Sequence, residues 1–403
     1  MTLISYTTTI QERPLYIGGT GFIWGLGTIL GPIVGGAFAD SSATWRWAFY
    51  INLPIGALFA PVYLFLLPSP DPRPGFTVKQ RLLQIDWVGA PLLIGAIVSF
   101  TMAINFGGII YDWDSGAEIA LWVVAGVLFV VFALQQAFCI GTTTAKRIFP
   151  VEMITSRKFA RTTVLMFCTT AAGGTAIFVP VYFIPLLFQF TRGDSAIKAG
   201  VRLLPFICVL VFVTLFQGGL FSHPSGKFGF YMPWFLVGGL ISVAGGALMF
   251  TADSGSSDAY IYGASALLGI GVGTYTQSGY AIAQAAVEES RHAVAVAFIG
   301  LAQVGGITIG LAIGNAVFLN RAQDLIAKIL PGLSHDEIQN AIAGTGADLL
   351  KTLPEDIQVR VLDAIVDAVQ RPYILSMVSG AVVAVLSLFM KRERLFMTAA
   401  AGA

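Results

Sequence analysis

Asn52, Asn105, Gln135, Gln136, Gln217, Gln277, Gln284, Gln303 and Asn315 are the strongly polar side chains that fall within the long apolar stretches of this chain, and all are amides. An amide in hydrocarbon donates and accepts hydrogen bonds but does not carry a proton. Its chemistry is recognition of a polar group on a solute, or a bond to a neighbouring helix. No Asp, Glu, Lys or Arg lies well inside an apolar stretch; Asp86, Asp194 and Glu288 sit at the ends. An acid at membrane depth is the usual proton carrier of a pump, and these stretches do not contain one.

Gln277 and Gln303 stand out among the amides. Gln277 follows Gly269-Ile270-Gly271-Val272-Gly273 and Gln303 precedes Gly305-Gly306, so each lies beside a weak point where a helix can open towards a cavity. Gln217, Asn315 and Tyr275 are further cavity candidates, and Phe183, Phe188, Tyr275 and Tyr280 offer rings on which a flat apolar solute stacks. Interhelical bonding for the amides and plain packing for the aromatics are the competing uses. The glycine triplet is not a dinucleotide fingerprint, because no strand precedes it and no acidic partner follows at the required distance. His223, His292 and His335 read as solvated loop residues without a catalytic or metal-binding set. Cys139, Cys168 and Cys208 are isolated and read as small packing residues, so neither disulfide, metal nor cofactor is expected.

The elements that must position these side chains follow from composition. The chain is 56% hydrophobic and 11% charged, with a mean hydropathy of +0.78. A soluble domain carries roughly a quarter charged residues, so this is an all-α polytopic membrane protein. A net charge of +1 excludes a nucleic-acid partner. Apolar runs long enough to span a bilayer are predicted at about 15–39, 47–67, 86–108, 118–140, 162–188, 199–221, 231–251, 260–285, 293–318 and 372–390. The basic residues collect after alternate spans, at Arg73, Lys79 and Arg81, at Lys146 to Arg161, at Lys227 and at Arg291, and again in the tail and at Arg13. That bias places both chain ends in the cytosol. On the outer face, segment 319–371 is expected to form short amphipathic helices, with a capping box at Ser334-His335-Asp336-Glu337, Pro354 opening a second helix, and an apolar stripe Ile357, Val361, Ile365 and Ala368. It lies either on lipid or as a lid on the protein.

Gly18-x8-Gly27-x3-Gly31-Pro32-x2-Gly35-Gly36 falls in the first long span. Glycines four apart line one helix stripe and admit a close neighbour, while Pro32 removes a ladder bond and bends the helix. The pattern resembles the antiporter signature in the fifth span of drug-efflux pumps of the major facilitator superfamily. Downstream, Trp45-Arg46-Trp47-Ala48-Phe49-Tyr50-Ile51-Asn52-Leu53-Pro54 places a guanidinium between two indoles, suited to anchoring a helix end at the interface. This run, with Ile85-Asp86-Trp87-Val88-Gly89, Arg147-Ile148-Phe149-Pro150, Ile184-Pro185-Leu186-Leu187-Phe188-Gln189-Phe190, Ala199-Gly200-Val201-Arg202-Leu203-Leu204-Pro205 and Tyr231-Met232-Pro233-Trp234, resembles the fungal fourteen-span drug:proton antiporters along essentially the whole chain.

The resemblance implies a facilitator fold in which the ten spans correspond to spans five to fourteen, the first four being missing. It divides the chain into a first-bundle remnant (1–67), a linker pair of spans (68–161) and a six-helix second bundle (162–403). It implies proton-driven export of a small apolar compound such as a secondary metabolite or drug, with protons, the solute and the bilayer as partners. Related carriers make siderophore uptake the alternative, and a truncated chain that does not transport is another. A polytopic enzyme would need a His-Asp or His-cluster motif at a membrane face, and the sequence does not carry it. The plasma membrane is the expected location, with vacuolar and vesicle membranes as alternatives.

Overall fold

A computed structural model describes residues 2–9, 11–39, 41–66, 75, 77–221, 229–332, 338 and 354–392. The 334–337 capping box, His223, His335, Arg73 and Lys227 lie outside the described residues. Pro32 and Gly36 are within a described helix, but their side-chain surroundings are not described.

Lipid offers no partner for a backbone amide, so an apolar run must satisfy its own hydrogen bonds as a helix. The described chain does so: α1 (Thr2–Thr7), α2 (Arg13–Ala39), α3 (Trp47–Tyr50), α4 (Asn52–Pro61) continued by a π turn Val62–Leu66, α5 (Val78–Leu82), α6 (Gly89–Phe106), α7 (Gly116–Phe138), α8 (Glu152–Thr155), α9 (Ala160–Arg192), α10 (Ala196–Val201), α11 (Leu204–Phe221), α12 (Tyr231–Phe250), α13 (Asp258–Gly273), α14 (Ser278–Ala285), α15 (His292–Ile329), α16 (Glu355–Gln370) and α17 (Tyr373–Ser387). Eight helical stretches among the described residues are long and apolar enough to cross a membrane. The 27-residue α2 and the broken pair α13–α14 cover the two remaining predicted spans.

Two boundaries differ from expectation, each for a local reason, and one open alternative is resolved. The predicted span 260–285 is two helices, broken by turns at Thr274 to Gln277 just after the glycine triplet. The predicted span 293–318 continues to Ile329 as one 38-residue helix, because Ala322, Gln323 and Ile326 stay buried beyond the bilayer-length window. In the segment 319–371, α16 packs on α15 and α9 and buries Val361, Ala364, Ile365, Ala368 and Val369. Its apolar stripe is therefore covered by protein, as a lid, and not by lipid.

The core is the second half of the chain. α9 packs on α15, α12 on α13 and α17, and α11 on α2 and α13. Small residues set the spacing: a Cβ at Gly306 would sit 2.0 Å from the Ala171 carbonyl oxygen, so α15 and α9 touch backbone to backbone. α6 and α7 form an antiparallel pair that meets α15 through Ile104, Ala312 and Ala316.

Among the described residues, α2 makes its close approach on a face other than the Gly27, Gly31 and Gly35 stripe. Its close approach to α11 runs along Gly18, Gly21 and Gly25, facing Thr214, Val211 and Ile207. Cβ atoms at Gly27, Gly31 and Gly35 would meet no atom of the described residues within 4 Å. The first face is the one turned to the second half of the chain; the motif face has no described neighbour. From Trp47 to Leu66, likewise, no residue is buried.

Candidate functional site

The break between α13 and α14 has its backbone satisfied by side chains. Gly269 and Gly273 lie against carbonyls of α11 (2.7 and 2.8 Å from a built Cβ), and Gly271 lies against the Ser242 amide of α12 at 2.5 Å. That packing consumes the glycines, and the helix stops. Its last carbonyls then need donors. Thr274 Oγ1 donates to the Gly271 carbonyl at 2.7 Å, Thr276 Oγ1 to Val272 at 2.6 Å, and Thr214 Oγ1 to Gly273 at 3.1 Å. Gln217 Nε2 donates to the Thr274 carbonyl, and Gln217 Oε1 accepts from Ser278 Oγ at 2.7 Å. Gln217 therefore holds the break open.

Gln277 differs. Its Oε1 is buried and has no hydrogen-bond partner among the described residues. A Cβ built at Gly21 of α2 lies 3.9 Å from its Cγ, so the residue sits where the broken helix faces α2. Tyr275 turns the other way, into the bundle: it is 1% exposed, its ring lies 6.1 Å from Phe235, and its hydroxyl is 3.3 Å from Ser242 Oγ. Gln303 Oε1 accepts from the Tyr280 hydroxyl at 2.8 Å, joining α15 to α14. Gly173 and Gly174 of α9 lie between these groups, against Tyr275 and the Gln303 carbonyl respectively. Phe183 and Phe188 are buried packing rings, against Phe318 and Tyr262.

Asn315 donates to Asn105 Oδ1 at 3.1 Å, and Asn105 donates to the Thr101 carbonyl at 2.8 Å. This ladder lines a cavity of about 440 Å³ between α6, α9 and α15, with Tyr182, Thr308 and Leu311. Gln277 and Gln217 are not among its lining residues. At the opposite end of the chain, Arg46 lies over the Trp45 ring at 4.8 Å, and Trp47 stacks on Phe38 at 6.2 Å. Both indoles are exposed, as an interface anchor requires.

Three polar clusters were not foreseen. Asp86 caps α6 through the Gly89 amide at 2.7 Å and accepts from Gln136 at 2.7 Å and Gln135 at 3.2 Å, so these amides serve a helix start and not a solute. At the predicted outer end, Asp258 pairs with Arg202 at 2.5 Å and Arg192 at 3.1 Å, and Asp194 pairs with Arg202 and with Lys198 at 2.6 Å. Hydrogen bonds from Arg202 hold the Asp258 carboxyl below the usual range. Burial raises that of Asp194, but Lys198 and Arg202 outweigh it and the net direction is also down. The third cluster is at the predicted cytosolic end, where Arg13 reaches His292 and Gln284. His292 is 5% exposed and engaged, which corrects its reading as solvated. Partners more than 270 positions apart leave no local pattern to read.

A helical bundle that crosses the membrane, with an interrupted span and an amide-lined interior, defines a polytopic membrane carrier. The Major Facilitator Superfamily model matches residues 1–311, and the chain belongs to that family. Over 402 residues it is 50% identical to the MFS-type transporter pgmG of Aspergillus terreus, a match covering 100% of this chain and 70% of that protein. It is 46% identical over 404 residues to the efflux pump alnA of Emericella nidulans, covering 100% of this chain and 72% of the pump. The efflux pump patC of Aspergillus clavatus is 44% identical over 399 residues, covering 98% of this chain and 71% of the pump. Transport, not catalysis, is the work of this family.

Proposed function

We propose that the chain exports a small, largely apolar compound in exchange for protons, the solute passing between α2 and the broken span α13–α14. One observation carries this reading: at the break the carbonyls of Gly271, Val272, Gly273 and Thr274 are taken by Thr274, Thr276, Thr214 and Gln217, while the acceptor oxygen of Gln277, a residue that borders α2, is left over among the described residues. An unpaired buried acceptor costs about 1–3 kcal/mol, and a solute with one donor on an apolar body repays it. Relatives named as efflux pumps support export over uptake. On this reading 1–67 belongs to a first bundle, 68–161 is a linker pair, 162–403 is the second bundle, and the plasma membrane is the site of action.

The test is dye efflux from a yeast strain stripped of its own pumps, using rhodamine 6G with and without a protonophore. Faster efflux that the protonophore abolishes is the expected result. Efflux that survives the protonophore removes proton coupling from the proposal.

A second reading, a chain that does not transport by itself, is favoured by a separate observation. Trp47 to Leu66 has no buried residue and the Gly27, Gly31 and Gly35 face of α2 has no described neighbour within 4 Å, so the described residues do not enclose a path on that side. Folded, membrane-inserted protein with efflux no faster than the empty host is the result that selects it.

A further inference from the structure

The described spans carry no acid at depth, yet one titratable side chain lies buried where α2 meets the second half of the chain. We propose that His292 is a proton-binding site, and that its occupancy decides whether Arg13 of α2 is clasped to the start of α15 at the predicted cytosolic end.

The geometry fixes the protonation state. Arg13 Nη1 is 3.0 Å from His292 Nδ1 and 3.3 Å from Gln284 Oε1, and all three residues are at most 5% exposed. A guanidinium only donates, so Nδ1 receives that bond through its lone pair and the imidazole is neutral, with its hydrogen on Nε2. Gln284 is held in turn by its bond to the Tyr280 carbonyl at 3.2 Å.

A proton from cytosolic water has only Nδ1 to bind. It replaces the lone pair with an N–H pointing at the guanidinium, so the hydrogen bond becomes a contact between two cations. The surroundings do not cancel that change. The charges acting on the ring are Arg13 from α2 and Glu289 from the turn before α15. α14 contributes an amide and carbonyls, and α1, which packs on α15, carries no charged residue. The nearby Glu12 is engaged by Thr9, and Arg291 pairs with Glu152 at 3.6 Å. Protonation therefore breaks the Arg13–His292 bond that ties α2 to α15, while the Arg13–Gln284 bond to α14 is not directly affected. Burial and the facing Arg13 hold the His292 imidazole below its ordinary value, so the switch falls on the acid side of that value.

The experiment reads a distance, so its outcome is separate from that of the export assay. With Cys139, Cys168 and Cys208 replaced by serine, spin labels go on Q11C and S290C, two exposed positions flanking the contact. Double electron–electron resonance in nanodiscs is recorded at about pH 8 and about pH 5. One short distance is expected at the higher pH, joined by a longer population at the lower. His292→Asn keeps an acceptor that does not titrate there, and stays short at both. A native distribution that ignores pH, or an H292N response as large as the native one, overturns the proposal. If H292N does not fold, a native pH series decides: a midpoint between about 4.5 and about 6.5 supports the clasp, and one outside that range, at or below the free carboxylate value or above the free imidazole value, overturns it.

Discussion

Gln277 and Gln217 lie one helix apart, have the same side chain, and are predicted to respond oppositely to the same substitution. Gln217→Leu strands the Thr274 carbonyl and the Ser278 hydroxyl, and should destabilise the protein by about 1–3 kcal/mol. Gln277→Leu removes an acceptor that has no partner, so thermal unfolding in detergent should occur no lower than in the native protein, while dye efflux falls. A lowered melting temperature for Q277L, equal to that of Q217L, assigns both residues to the scaffold. At this scale the sequence was legible as chemistry but not as role. Amides at membrane depth are visible in any reading, whereas the division between those that mend a helix break, those that cap a neighbouring helix through Asp86, and the one left over depends on residues tens of positions away.

Among elements, the break between α13 and α14 and the long α15 do most to shape the interior. The glycine triplet announced a weak point, and the helix ends there because Gly269, Gly271 and Gly273 let α11 and α12 approach too closely for side chains. The same logic gives a prediction for α15. Gly306→Val must push its side chain into the Ala171 carbonyl, so α9 and α15 separate; overpacking of this kind costs about 1–3 kcal/mol. Gly305→Val, whose added Cβ meets nothing within 4 Å, should be near neutral by the same thermal assay. Two adjacent glycines in the sequence are indistinguishable until the neighbouring helix is in place. The amphipathic stripe of α16 was equally plain from its spacing, but spacing cannot say whether lipid or protein covers it. Arg321 to Asp367 at 2.8 Å, Ser254 to Asp363 at 2.7 Å and Gln370 to the Ala252 carbonyl at 2.6 Å are the contacts that decide.

Across the whole molecule the two faces of the membrane carry polar clusters that titrate in different windows. Asp194 and Asp258 are held below their ordinary values. A depressed carboxylate contributes stability that is present above its unfolded value of about 3.9 and is lost as pH falls through the folded value. Thermal stability should therefore hold from neutrality down to about pH 4 and drop below it, and Asp258→Asn should blunt that acid-driven drop. A drop that D258N leaves untouched places the acid sensitivity elsewhere. The fold class was written in hydropathy, which predicts ten crossings where eight described helical stretches are long and apolar enough to cross. Which helices touch, and that Arg13 ends beside His292, follows from packing that no window of sequence contains.

α15 begins at the His292 contact and runs without interruption to Ile329, its far half packed on α16 at the predicted outer face. At 1.5 Å per residue its 38 residues make a rod of about 57 Å. A rod of that length is a lever. A few degrees of tilt at the inner end displace the outer end by several ångströms, and Arg321, well out along that arm, is tied to Asp367 on α16. An event confined to one imidazole on one side of the bilayer is thereby felt as strain in ion pairs on the other, with no messenger but stiffness.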